Sequence, residues 1–195
     1  LKSLDDVFKN GKGLNFGIGD PNSTSGFLVP TFYLFAKNNV DYRTAFKTIR
    51  NASHGANIQA VLARQIDVAT NNTEELDKLK ASKPELASQL RVLWESPLIP
   101  SDPFVWRTDL DPAVKAKLKT FVINYAKTDP EEKAILKNIY NYGGFRESNN
   151  EQLVPIRQLE LFKDRSKIEH DAALDEKERA KRLAEIDAKL AALKL

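Results

Sequence analysis

An α/β architecture, a mostly parallel sheet with helices on both faces, is predicted by three features of residues 14–103. Short apolar runs at 14–19, 48–53, 66–71 and 91–97 alternate with stretches whose apolar residues recur at helical spacing. The connections between them are short, which suits strands covered by intervening helices. Breakers stand at the joints: Gly11 and Gly13 before the first run, and Asp20-Pro21 directly after it.

Taken in order, a short helix over 4–10 precedes the strand 14–19, and a helix over 26–38 follows the Asp20-Pro21 stop. "TIRNAS" (48–53) reads as a second strand, "HGANIQAVLARQ" (54–65) as a helix and "IDVATN" (66–71) as a third strand. A helix over 73–90 leads to a fourth strand at 91–97. From Phe104 the texture changes. One more strand is available at 104–110, and the rest is helical, with Asp111 and Asp129 as N-caps followed by Pro112 and Pro130 at the first helical positions. Past Gly143-Gly144 a further helix runs beyond Pro155. These helices have no second set of strands left to cover. The last segment reads as one charged helix with Leu183, Ile186, Leu190 and Leu193 at 3-4-3 spacing, a coiled-coil seam. Two heptads suit either packing back on the parent domain or a homodimer through this helix. The division expected is an α/β ligand-binding lobe at 14–103, a helical remainder at 104–164 and a C-terminal helix at 165–195.

Composition narrows the function. The chain has 195 residues, 42% hydrophobic and 29% charged, as an ordinary globular protein does. Its 30 basic and 27 acidic residues are interspersed, so no basic stripe exists to neutralise a phosphate backbone, and nucleic acid is not expected as a partner. No run approaches the roughly 18–20 apolar residues of a membrane span. There is no cysteine, which removes thiol chemistry and Cys-based metal sites, and the two histidines, His54 and His170, are far apart without an HExxH pattern, so no metal and no cofactor is expected. There is also no methionine, so a product processed or cut ahead of Leu1 is expected.

Ligands of open α/β sheets bind outside the carboxyl ends of the strands. The first strand end delivers Ser23, Thr24, Ser25 and Gly26 at a helix start, either as caps or as an anion seat made of hydroxyls, backbone amides and the positive helix end. Neither a P-loop nor GxGxxG is present. The second puts His54 in the first turn of a helix, where the dipole disfavours a cation; a neutral ring bonded to a local carbonyl and a ring bonded to the same anion are both open. At the third, Asn72 and Glu75 fit a capping box, which leaves Glu74 without a local task. At the fourth, Pro100 and Pro103 bracket Ser101-Asp102 and project a carboxylate. Two acids beside a hydroxyl–histidine cluster suit a ligand with an anionic and a cationic end. Ser, His and Asp are all available, but "PNSTSG" is not a G-x-S-x-G elbow, so a binding protein is favoured over a hydrolase.

The segments "NFGIGDPNSTSGFLVP", "NASHGAN", "IDVATNNTE", "SPLIPSDPFVWR" and "QLVPIRQLELFK" closely resemble the phosphonate-binding periplasmic component of bacterial ABC uptake systems. The resemblance implies a type II periplasmic binding protein fold, with two α/β lobes closing on ligand by hinge motion. It implies a periplasmic location, a phosphonate ligand and an ABC permease as partner. It matches Ser23, Thr24, Ser25 and His54 to the residues that take the phosphonate group, and Glu74 and Asp102 to those that take the amino group of a 2-aminoethylphosphonate-like ligand. A complete member of the family carries about 100 further residues before the position of Leu1, a domain's worth of chain. The expected function is a non-catalytic receptor. Its rivals are a phosphoryl-handling enzyme on a flavodoxin-like sheet using His54 as acid/base, and an assembly module acting through the C-terminal seam.

Overall fold

The computed structural model describes residues 1–193. Two compact units are present: Leu1–Ile99 with Leu153–Leu195, and Pro100–Gln152.

The first unit is built on three parallel strands in the order β2-β1-β3: β1 (Asn15–Ile18), β2 (Thr48–Asn51) and β3 (Val68–Ala69). Ahead of β1 lies α1 (Leu4–Asn10), closed at its start by a capping box in which Ser3 and Asp6 each accept the other's backbone N–H. Side chains alternate across the sheet. Phe16 and Ile18 point to one face and build the core with Val7, Leu34, Phe35 and Phe46. Phe16 stacks on Phe46 at 4.4 Å and meets Phe35 edge-on at 5.5 Å, the geometries that ring quadrupoles prefer. On the other face Gly17 has no side chain because α3 (His54–Leu62) comes too close: a Cβ there would lie 2.6 Å from Asn57 Oδ1 and from Ile66 Cδ1. Helices therefore cover both faces, as the alternating pattern predicts.

Several elements differ from the sequence expectation. The helix over 26–38 starts earlier, at Thr24, and is wound wide: π-helical over Thr24–Leu28 and Pro30–Phe35, then tightening to 3₁₀ over Ala36–Asn38 and ending on Asn39 in the left-handed region. Pro30 supplies the reason. An α-helix would direct its N–H to the Gly26 carbonyl, and proline has none. The bonds shift to the wider pattern, with the Val29 amide on the Thr24 carbonyl, and Gly26 O is free for partners outside the helix. The single helix expected over 73–90 breaks at Lys83-Pro84 into α4 (Thr73–Ser82) and α5 (Pro84–Ala87) for the same lack of a proline donor. One further turn, α2 (Tyr42–Ala45), precedes β2.

No fourth strand forms at 91–97. Leu93 and Trp94 instead send their side chains into the core next to Phe16 and Phe35, so that run buries its apolar groups without joining the ladder. The 104–110 run is likewise irregular and exposed.

The C-terminal segment is a helical hairpin and not one helix. α8 (Val154–Glu169) and α9 (Glu176–Ala192) are separated by a turn, with Asp175 capping α9. α8 joins the wide helix through Leu28, Val29 and Leu159, and Phe162 stacks on Phe32 at 5.0 Å. The apolar seam of α9 faces back onto α8: Ile186 is buried, and Arg165 Nε reaches Asp187 at 2.9 Å. The seam is spent within the chain, and the homodimer expected as an alternative has no support here.

The second unit contains α6 (Pro112–Asn124) and α7 (Pro130–Asn138), started by Asp111 and Asp129 as the sequence predicts. Among its described residues there is no strand, and Phe104, Val105, Val114, Leu118 and Phe121 remain largely exposed.

Gly19 and Gly26 touch backbone to backbone, and a Cβ on Gly19 would sit 2.5 Å from Gly26 Cα, so Gly19→Ala should lower the unfolding free energy by about 3 kcal/mol. Chemical denaturation measures this; wild-type stability would mean the contact can open without cost. In the hairpin, Ile186→Ala should cost about 2–3 kcal/mol. Asp187→Asn should cost under about 1 kcal/mol because its ion pair is substantially exposed.

Candidate functional site

All three strands are parallel, so their carboxyl ends lie on one edge of the sheet. The segments leaving them are 19–26, 52–54 and 70–74. Their side chains and backbone form one hydrogen-bonded cluster.

The first segment is a tight loop. Asp20 Oδ1 accepts from the Asn22 amide at 2.8 Å and its carbonyl accepts from the Ser23 amide at 2.8 Å. Ser23 then caps the helix, its Oγ accepting from the Gly26 amide at 3.0 Å. The loop closes where Gly19 N–H donates to Gly26 O at 2.9 Å. This arrangement meets the question of cap or anion seat on both sides. A capping serine uses a lone pair, and its O–H proton stays available to donate. The amides of Thr24 and Ser25, at the start of the helix, have no intrahelical acceptor. Thr24 is the first helical residue and is half-buried like its two neighbours.

The second segment brings His54. Ser53 caps α3, accepting from the Ala56 amide, and His54 is the first helical residue. Its Nε2 lies 2.9 Å from Ser25 Oγ, while Nδ1 is buried without a hydrogen-bond partner. The expectation of a ring bonded to a local backbone carbonyl is not met, since its partner is the predicted hydroxyl cluster. With the proton on Nε2 the ring donates to Ser25, and Ser25 keeps its own proton to give. With the proton on Nδ1 a buried donor would be orphaned, an arrangement folded proteins avoid. Burial pushes the imidazole below its ordinary value of 6.5, against the opposing pull of the Glu75 and Glu74 carboxylates, so the ring is neutral at neutral pH.

The third segment holds residues that sequence reasoning missed. Thr70, buried at 7% exposure, donates its hydroxyl to Gly26 O at 2.6 Å and accepts from the Gly19 amide at 3.1 Å. Asn71 Nδ2 donates to the His54 carbonyl at 2.8 Å, and its Oδ1 accepts from the Asn72 amide at 2.9 Å. Asn72 caps α4 by accepting from the Glu75 amide at 3.0 Å, as predicted. Glu74 is exposed in the first turn of α4, with Thr73 Oγ1 3.5 Å from its Oε2. Glu75 is half-buried with Oε2 against Gly55, and its charge acts on His54 more strongly than that of Glu74, the reverse of the emphasis the capping pattern suggested. The one signal the sequence offered for Thr70 and Asn71 was their place directly after a strand, at the edge where ligands of such sheets bind. Asp102 belongs to the second unit, in an exposed extended stretch.

The depressed imidazole sets a pH dependence. A histidine whose folded value lies below its unfolded one binds its proton more readily when unfolded, so stability is complete above 6.5 and falls as pH drops through the folded value. Ligand-free protein should show His54 titrating below 6.5 by NMR. Its stability loss between about pH 7 and pH 5 should shrink in His54→Asn.

Comparison with known proteins agrees with the family and the fold expected from the motifs. The family described as "ABC transporter, phosphonate, periplasmic substrate-binding protein" matches over residues 1–153. The "Phosphonates-binding periplasmic protein" of Escherichia coli K12 is 50% identical over 190 residues, covering 97% of this chain and 55% of that protein. The "Probable ABC transporter phosphite binding protein PhnD1" of Prochlorococcus marinus is 25% identical over 166 residues, covering 82% of this chain and 56% of that protein. The crystal structure of a binding protein component of an ABC phosphonate transporter from Pseudomonas aeruginosa superposes with a TM-score of 0.86 at 49% identity, over 98% of this chain and 63% of that one. The chain thus spans little more than half the length of the curated relatives it matches. With its match over residues 1–153 and its parallel-sheet lobe, it belongs to the family of phosphonate-binding periplasmic substrate-binding proteins of ABC transporters.

Proposed function

We propose that the chain is part of a non-catalytic, periplasmic receptor that captures phosphonates, 2-aminoethylphosphonate and its like, for uptake by an ABC permease. The observation that carries this reading is the 2.9 Å contact between Ser25 and a neutral His54, beside Ser23 on the Gly26 amide, at the edge where three parallel strands end. In it, Ser23, Thr24, Ser25 and the helix-start amides donate to the phosphonate oxygens. His54 takes part through Ser25: its Nε2–H donates to Ser25 Oγ and leaves the Ser25 hydroxyl proton free for the ligand. In this reading the unit of residues 1–99 and 153–193 is the lobe that carries the anion seat, and the unit of residues 100–152 belongs to the other lobe.

Hydrogen bonds to a charged group contribute roughly 1.5–3 kcal/mol each, so a seat of neutral donors is adequate for a phosphonate without a lysine or arginine. Glu74 and Asp102 take the ligand's ammonium group. For Glu74 the support is its place in the first turn of α4, close enough to His54 for its charge to be felt there; for Asp102 it is the sequence resemblance alone. Two carboxylates reject a ligand that lacks the amine, because each would be left without a cationic partner. The names of the relatives support the ligand class and say nothing of an amine. The half-identical protein is named for phosphonates, and the more distant one for phosphite.

Titration calorimetry on the full-length protein tests the reading. 2-Aminoethylphosphonate should bind more tightly than ethylphosphonate or inorganic phosphate, and Glu74→Gln and Asp102→Asn should each weaken it by about tenfold to a hundredfold while hardly affecting ethylphosphonate. Equal affinity for the two phosphonates would remove the roles of both acids. Phosphorus NMR of the protein incubated with 2-aminoethylphosphonate should show unchanged ligand; released phosphate would favour the enzyme using His54 as acid/base.

A further inference from the structure

We propose that Thr70 and Asn71, the two residues that leave β3, are the positioning pair of this cluster: Thr70 fixes the loop that carries the hydroxyls, Asn71 fixes His54, and together they set the Ser25–His54 spacing. The ligand named in the test rests on the phosphonate reading; the geometry does not.

Three features point to it. First, the Gly26 carbonyl needs partners outside its own helix because Pro30 cannot donate to it. Thr70 donates to it at 2.6 Å, and Thr70 Oγ1 in turn accepts from the Gly19 amide at 3.1 Å, so a single buried hydroxyl holds both ends of the 19–26 loop. Second, Asn71 grips the other half. Its Nδ2 holds the His54 carbonyl at 2.8 Å, and its Oδ1 is engaged by the Asn72 amide, which leaves the side chain one orientation. Third, the two halves meet in the Ser25–His54 contact, and no covalent path shorter than 29 residues links them. Backbone bonding between the strands runs only as far as the Ala52 amide on Ile18 O and the Thr70 amide on Gly17 O, and Asn51 Nδ2 adds a bond to Gly19 O at 2.7 Å, all short of Ser25 and the His54 ring. Thr70 and Asn71 bridge that gap. Consecutive residues on an extended chain point to opposite sides, so one short segment can reach both halves.

Thr70→Val removes the hydroxyl at constant volume and keeps the direct Gly19–Gly26 bond, so the loop stays closed while its alignment is released. Asn71→Ala releases His54. Calorimetry of full-length protein with ethylphosphonate reads the anionic end without the ammonium contacts. Each variant should bind it about five- to tenfold more weakly than wild type, the worth of one well-placed hydrogen bond, and Thr70→Ser should restore most of the loss. A second readout needs no ligand: the ¹⁵N signal of His54 Nε2 should shift in Thr70→Val and in Asn71→Ala, and return towards wild type in Thr70→Ser. Wild-type affinity in both variants, or an unmoved His54 signal, overturns the proposal. A wild type that binds no phosphonate counts against the proposed ligand alone, and the His54 signal then decides the positioning roles by itself.

Discussion

The contact on which the rest of this lobe depends is the backbone-to-backbone approach of Gly19 and Gly26. Neither position can carry a Cβ: on Gly26 it would lie 2.9 Å from Gly19 Cα, from His54 Cε1 and from Ser23 Oγ. That closeness lets a chain leaving the central strand turn at once into a helix, with Ser23 to Ser25 displayed at the turn. It also places the helix directly over the Phe16, Phe35 and Phe46 cluster, where its Leu34 and Phe35 complete the core. Pro30 is the complement of this contact. By withholding a donor it frees the Gly26 carbonyl, and the Gly19 amide and the Thr70 hydroxyl occupy it.

The electrostatics of the cluster follow from what is neutral in it. A charged imidazole at a helix start would face the positive end of the dipole and would also need desolvating. Burial resolves both by keeping His54 uncharged, and the nearby carboxylates moderate the shift without reversing it. The cluster is thus an array of hydroxyl and amide donors around one neutral ring.

The C-terminal hairpin has a structural task in this arrangement. α8 lies against the side of the wide helix that the sheet does not cover, through Leu159 on Leu28 and Val29, and α9 then covers α8. The wide helix is thus held from the core side by aromatic packing and from the other by the hairpin. The second unit is different in kind. Its two capped helices form without strands, and much of the apolar surface of α6 and of 104–106 stays exposed.

Much of this was legible in the amino-acid order because it is written in local chemistry. Capping residues and prolines marked the starts of α6 and α7. The apolar run at 14–19 marked β1, and the hydroxyl triplet and His54 stood out where strands end. Sequence motifs also identified the family. Tertiary structure decided whatever depends on which partner a group finds. The 91–97 run has the composition of a strand, but Leu93 and Trp94 gain more by entering the core than a ladder would return. The apolar seam at 183–193 serves a dimer or a hairpin equally well in sequence, and only the presence of α8 beside it settles the matter. Thr70 and Asn71 look like ordinary turn residues, since nothing local shows that Pro30, forty residues earlier, has left a carbonyl open for one of them to fill.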